Sequence, residues 1–124
     1  MSHSDHADFP RRTFGMPDGA FRLDGRTAVI TGASKNIGTS LALVFAQAGA
    51  DVVMVGRRRD PLERAAGMIR AEAPGRRILV FVADIGKRLD VDGIADFVAN
   101  EAGGADLLIN NAAGYGSTTA TSIL

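Results

Sequence analysis

Thr31-Gly-Ala-Ser-Lys-Asn-Ile-Gly38 (TGASKNIG) stands between a short apolar run, TAVIT (Thr27–Thr31), and a helical pattern. A strand that ends in a tight turn and opens a helix presents free backbone N–H groups, and the helix dipole adds positive potential at the same point. Such a turn suits a phosphate. Glycine is required where the backbone must approach the anion or take a positive φ. The alternative is a plain strand-to-helix connection with ordinary caps.

Working outward, Gly25 and Gly32 bound the first strand, which reads as buried. Ile37, Leu41, Val44, Phe45 and Ala48 fall on one face of the helix that follows, and Gly49 stops it. DVVMV (Asp51–Val55) is a second buried strand. Asp60-Pro61 reads as an N-cap followed by the first helical residue, and Leu62, Ala65, Ala66 and Ile69 supply the apolar face before Pro74-Gly75 ends the helix. RILVFVA (Arg77–Ala83) is a third strand. Val91, Ile94, Phe97 and Val98 mark a third helix closed by Gly103-Gly104, and DLLIN (Asp106–Asn110) is a fourth strand.

Strands alternating with helices, each strand apolar on both faces, predict an α/β fold: a Rossmann-like, doubly wound parallel sheet. Right-handed crossovers put the first two helices on one face and the third on the other, which gives the strand order 3-2-1-4. The order reverses between strands one and four. A ligand in such a sheet sits beyond the carboxyl ends of the strands at that switch. The turn from Gly32 and the loop from Asn110 to Gly114 therefore flank one crevice.

The 124 residues suffice for one small domain. Residues 1–20 are polar and aperiodic, and read as a flexible leader; the dinucleotide-binding unit is expected over residues 21–124. Both histidines, His3 and His6, lie in that leader with only Asp5 and Asp8 near them, so no metal site is expected. Hydrophobic residues make up 46%, charged residues 23%, and formal net charge is zero, which favours neither nucleic acid nor an anionic membrane as a partner. Without cysteine there are no disulfides or thiolate metal sites. No apolar run approaches the ~20 residues of a membrane helix, and the expected location is the cytoplasm.

The spacing of Gly32, Asn36 and Gly38 resembles the T-G-x-x-x-G-x-G turn of the short-chain dehydrogenase/reductase family. FRLDGRTAVITGAS, VADI (Val82–Ile85) and LINNAAG (Leu108–Gly114) resemble that family's segments at the corresponding element ends. Asn36 replaces the middle glycine; asparagine tolerates a positive φ, so the turn is expected to form with a side chain that either crowds or bonds the pyrophosphate. An alanine is inserted before the glycine of the last motif. The resemblance implies a nicotinamide dinucleotide held by Gly32, Ser34, Lys35, Asn36, Ile37 and Gly38. It further implies that Asp84 bonds the adenine, that Ile85 lies against it, that Asn110 and Asn111 brace strand four and touch the ribose, and that Ala112 belongs to the cofactor site. For Asp84 the alternative is a loop carboxylate or cap.

NAD sites usually carry Asp or Glu about 20 residues past the glycines, whereas arginine suits the extra phosphate of NADP. Gly56-Arg57-Arg58-Arg59 offers no carboxylate before Asp60. Guanidinium forks match phosphate, so Arg57 and Arg58 point to NADP over NAD; the alternative is a solvated helix entrance.

By resemblance, catalysis requires a serine, Tyr-x-x-x-Lys and an asparagine beyond the matching stretch. The one tyrosine, Tyr115, is followed four residues later by Thr119, and the lysines are Lys35 and Lys87, both before it. Ser117 and Ser122 have no such partners. No catalytic residue is assigned, and the chain reads as a cofactor-binding half truncated after the fourth strand. That strand is expected to be an exposed edge that drives self-association or pairing with a partner chain. The rival readings are a non-catalytic dinucleotide-binding or interaction module and a truncated gene product.

Overall fold

The computed structural model describes residues 22–111; the expected leader, Ala112 and the rest of the final loop lie outside these residues. In chain order the elements are β1 (Thr27–Thr31), α1 (Asn36–Gln47), β2 (Asp51–Gly56), α2 (Arg59–Glu72), β3 (Ile78–Val82), α3 (Arg88–Glu101) and β4 (Leu107–Asn110). All strand pairs are parallel and their order is β3-β2-β1-β4. The switch in strand order falls between β1 and β4, as the crossover argument requires.

Side-chain alternation along the strands builds two cores. On one face Ile30, Val52, Met54 and Ile78 pack beneath α1 and α2, with Leu62, Ala66 and Ile69 of α2 closing the layer. Fully burying a side chain such as Leu62 or Ile69 contributes about 2 kcal/mol. On the other face Val29, Val53 and Val55 meet Ile94, Phe97 and Val98 of α3. Phe81 and Phe97 stack tilted there, with ring centroids 4.8 Å apart. This second core is smaller, and Leu79, Phe81 and Leu108 stay only partly covered. Among the described residues β3 and β4 are the sheet edges.

The first helix departs from its expected face. Ile37 is 67% exposed and Val44 58%, while Gly38, Ala42 and Ala46 face the sheet, one every four residues. The helix is apolar nearly all round, so period alone does not select a face. Close approach to β1 does, because only small side chains fit between helix and strand. Leu41 and Phe45 pack at the flank. Gly49 ends this helix at φ 108°, a conformation open to glycine at little cost.

Two further expectations shift. Helix α2 begins at Arg59 with Arg58 as its N-cap residue, so Asp60 sits inside the first turn rather than capping it. Pro61 is tolerated there because the amides of the first turn have no intrahelical acceptor. Asn36 is the first residue of α1, and no residue other than glycine has a positive φ among the described residues. The turn takes its left-handed step at Gly32, with φ 62°, and not at Asn36.

The register of β4 is set at its far end. Asp106 Oδ2 accepts the Thr27 N–H at 2.8 Å, and the Asp106 N–H donates to the Thr27 carbonyl at 2.8 Å. That pairing places Asn110 opposite Thr31 at the functional end. At the same far end Arg22 hydrogen-bonds Asp24 at 2.7 Å, which holds the Asp24 carboxyl below the usual carboxylate range.

Candidate functional site

Every described residue expected at the site lies at the carboxyl ends of the four strands. The turn after β1 is tied down on both sides. The Ala33 N–H donates to the Val55 carbonyl of β2 at 3.1 Å, and Thr39 Oγ1 donates to the Ala33 carbonyl at 2.6 Å. On the β4 side, Asn111 Nδ2 reaches the Gly32 carbonyl at 3.4 Å.

Gly38 is the point of closest approach. A Cβ there would lie 2.1 Å from the Gly32 carbonyl oxygen and 2.8 Å from Asn111 Nδ2. Helix and turn pack backbone on backbone, which leaves the first turn of α1 open above. No side chain caps α1 and no acidic residue stands in its first turn. Its leading amides and the positive end of its dipole are therefore available to an anion.

Thr31 joins the turn to β4. Its hydroxyl donates to Asn110 Oδ1 at 2.8 Å and accepts the Asn111 N–H at 3.0 Å. Sequence reasoning passed over its hydroxyl; the available signal was a hydroxyl residue at the carboxyl end of the strand, directly before Gly32. Thr31→Val keeps the shape and removes both bonds, leaving the Asn111 N–H without this acceptor. We expect a loss of about 1.5 kcal/mol in urea unfolding.

Arg57 and Arg58 follow directly from the end of β2 and are exposed, and neither has a hydrogen-bonding or ion-pairing side-chain partner among the described residues. A Cβ at Gly56 would lie 3.5 Å from Ser34 Oγ, so Ser34 of the turn stands beside the strand end where the arginines begin. Lys35 is exposed on the same turn. Asp84 follows β3, where the Ala83 N–H donates to the Gly56 carbonyl at 2.9 Å and ties that loop to β2.

Asp84 engages its own loop through one carboxylate oxygen. Its Oδ1 accepts the Gly86 N–H at 2.9 Å, while Oδ2 has no hydrogen-bond partner among the described residues. The Asp84 N–H is held by Asp90 Oδ2 at 2.7 Å. Asp90, a carboxylate in the first turn of α3, is a positioning residue that the sequence reading did not single out. Ile85 is half-buried beside it.

The structure thus brings Gly32, Gly38 and Asn111 into direct contact or hydrogen-bond reach, ties Asn110 to Thr31, and ranges Ser34, Lys35, Arg57, Arg58 and Asp84 along the same edge. Asn36 and Ile37 open α1 with exposed side chains. Among the described residues, no group of three or more His, Asp or Glu side chains could hold a metal ion, and no helix is long and apolar enough to cross a membrane.

A parallel sheet of order 3-2-1-4 with a glycine turn at its switch point defines a dinucleotide-type α/β protein. The family model described as short chain dehydrogenase matches residues 26–123. The chain belongs to the short-chain dehydrogenase family. It is 39% identical over 94 residues to an uncharacterized oxidoreductase of Mycobacterium tuberculosis and 37% identical over 95 residues to the 7alpha-hydroxysteroid dehydrogenase of Escherichia coli. Those matches take in 76% and 77% of this chain but 35% and 36% of the relatives, so the chain spans about a third of their length. Among solved structures it is similar to L-sorbose reductase from Gluconobacter frateurii complexed with NADPH and L-sorbose. The TM-score is 0.72 at 38% identity, covering 76% of this chain and 35% of that one.

Proposed function

We propose that this chain binds a nicotinamide dinucleotide, NADP in preference to NAD, as the cofactor-binding part of an oxidoreductase. The carrying observation is the cradle at Gly38, where a single Cβ would collide with the Gly32 carbonyl and the Asn111 side chain. Such packing leaves room above the turn for a pyrophosphate, and the residues present fit that group. When bound, the nicotinamide supplies hydride chemistry toward a carbonyl, alcohol or enoyl group.

On this reading the amides around Gly32, Ser34, Asn36, Ile37 and Gly38 bind the pyrophosphate. Arg57, Arg58 and Lys35 pair with the ribose phosphate that distinguishes NADP. Asp84 bonds the adenine through its unengaged oxygen, Ile85 lies against the ring, Asn110 and Asn111 touch the ribose, and Ala112 belongs to the same cofactor site. The NADPH complex of the similar sorbose reductase supports the cofactor class. None of these residues is assigned to proton transfer or substrate choice, and the chain spans about a third of the relatives' length. A cytoplasmic setting is part of the proposal and rests on composition.

Calorimetric titration of the chain with NADPH and NADH tests it. NADPH is expected to bind saturably and about tenfold or more tightly than NADH. Equal affinities would remove the NADP preference, and no binding to a chain that is folded by circular dichroism would overturn the proposal.

A second reading is a binding module without turnover that pairs through β4 with another copy or a partner chain. The outer edge of β4 favours it: Leu107, Leu108 and Ile109 are only partly buried, and the strand pairs on one side among the described residues. Sedimentation across a concentration series is expected to show dimers or larger species. A monomer throughout would sink that second reading for a second copy.

A further inference from the structure

A cleft of about 440 Å³ opens between the first turns of α1 and the facing side of α2, lined by Ser34, Asn36 and Ser40 on one side and by Arg64 and Met68 on the other. No carboxylate lines it. Its polar wall consists of hydroxyls, one amide and one guanidinium, a donor set that suits an anion. Thr39 also borders the cleft, but its hydroxyl is engaged by the Ala33 carbonyl.

Arg64 is exposed and has no hydrogen-bonding or ion-pairing side-chain partner among the described residues. Its neighbours explain why. Glu63 is drawn off by Arg59 at 3.2 Å and Arg70 at 3.9 Å. Asp60, one turn earlier, forms no ion pair with Arg64. The other guanidinium groups of α2 are thus engaged, and Arg64 remains beside the cleft with its charge unmatched.

The cleft joins the arginine pair after β2 through one shared residue. Ser34 lines the cleft, and it also stands beside Gly56, directly before Arg57. An anion seated over Ser34 would therefore be approached from β2 by Arg57 and Arg58 and from α2 by Arg64.

We infer that Arg64 is a specificity-determining residue that reads the phosphate on the adenosine ribose of NADP across this cleft, opposite Ser34 and Asn36. The inference rests on the dinucleotide reading above. It also gives the departure at Asn36 a use. In place of glycine at the start of α1, Asn36 sets an amide on the cleft wall, where it donates to the same phosphate.

Titration of the intact chain and of Arg64→Gln and Arg64→Lys with NADPH and NADH is the test. Arg64→Gln is expected to weaken NADPH about tenfold and to leave NADH within about twofold, with Arg64→Lys recovering part of the loss. Unchanged melting by circular dichroism accompanies that result, since the side chain is exposed. NADPH affinity indifferent to Arg64→Gln, or equal losses for both nucleotides, overturns this inference and leaves the dinucleotide reading standing. Failure of the unaltered chain to bind either nucleotide overturns both.

Discussion

Gly38→Ala is expected to abolish measurable dinucleotide binding and to lower the free energy of unfolding by about 3 kcal/mol. The added methyl would stand 2.1 Å from the Gly32 carbonyl oxygen and 2.9 Å from the carbonyl carbon. Both atoms are backbone of a turn already fixed to β2 through Ala33 and to β4 through Asn111. Moving the Asn111 side chain, 2.8 Å from the methyl, would leave this backbone clash in place, so the helix must lift or the turn must open. Either movement displaces the amides that face the phosphate. Gly67→Ala is the internal control: it lies within α2, and a Cβ there meets nothing within 4 Å. Helix propensity alone then predicts a gain of about 0.5–1 kcal/mol. Urea unfolding of both variants, read beside NADPH titration, separates contact from propensity. Equal behaviour of the two would remove the cradle argument.

The double substitution Arg57→Ala with Arg58→Ala is expected to raise the NADPH dissociation constant about 100-fold, or about 2.7 kcal/mol, while NADH binding changes little. Both side chains are exposed and engaged by no other side chain among the described residues, so folding loses almost nothing with them. Their worth lies in charge-assisted bonds to a dianion, which water and salt screen. The NADPH preference of the unaltered chain should accordingly shrink as ionic strength rises. A double variant that keeps its NADPH preference would assign the arginines to solvent.

The strands, their order and their common functional edge were legible because each rested on one dominant physical signal. Continuous apolar runs mark buried parallel strands, and crossover handedness fixes their sequence across the sheet. The inner face of α1 was not legible in the same way. Leu41, Ala42, Leu43, Val44, Phe45 and Ala46 are consecutive and apolar, so what decides the face is how near the helix must come to β1. That distance is a tertiary fact, and it selected Gly38, Ala42 and Ala46 over the larger Ile37 and Val44.

Asn36 taught a related lesson. A glycine pattern does not say which glycine needs its backbone freedom and which only its lack of a side chain. Here Gly32 needs the first and Gly38 the second, while position 36 is helical and admits asparagine. The cap at Asp60 was misplaced by two residues, because a proline in the first turn fits any of several amide positions that lack intrahelical acceptors. The hydroxyl of Thr31 and the carboxylate of Asp90 act on neighbours that only folding delivers.

The unequal covering of the two sheet faces gives the crevice one durable wall and one labile wall. β1 and β2 are buried along nearly their whole length, whereas β4 has partly exposed residues and is overlain by the thinner layer under α3. Amide hydrogen exchange should therefore be slowest in β1 and β2 and much faster in β4 and α3. A molecule gripped by both the Gly32 turn and the Asn110–Asn111 strand end would staple the faster wall to the slower one. Its presence would then be written as protection spreading into β4, well beyond the atoms it touches.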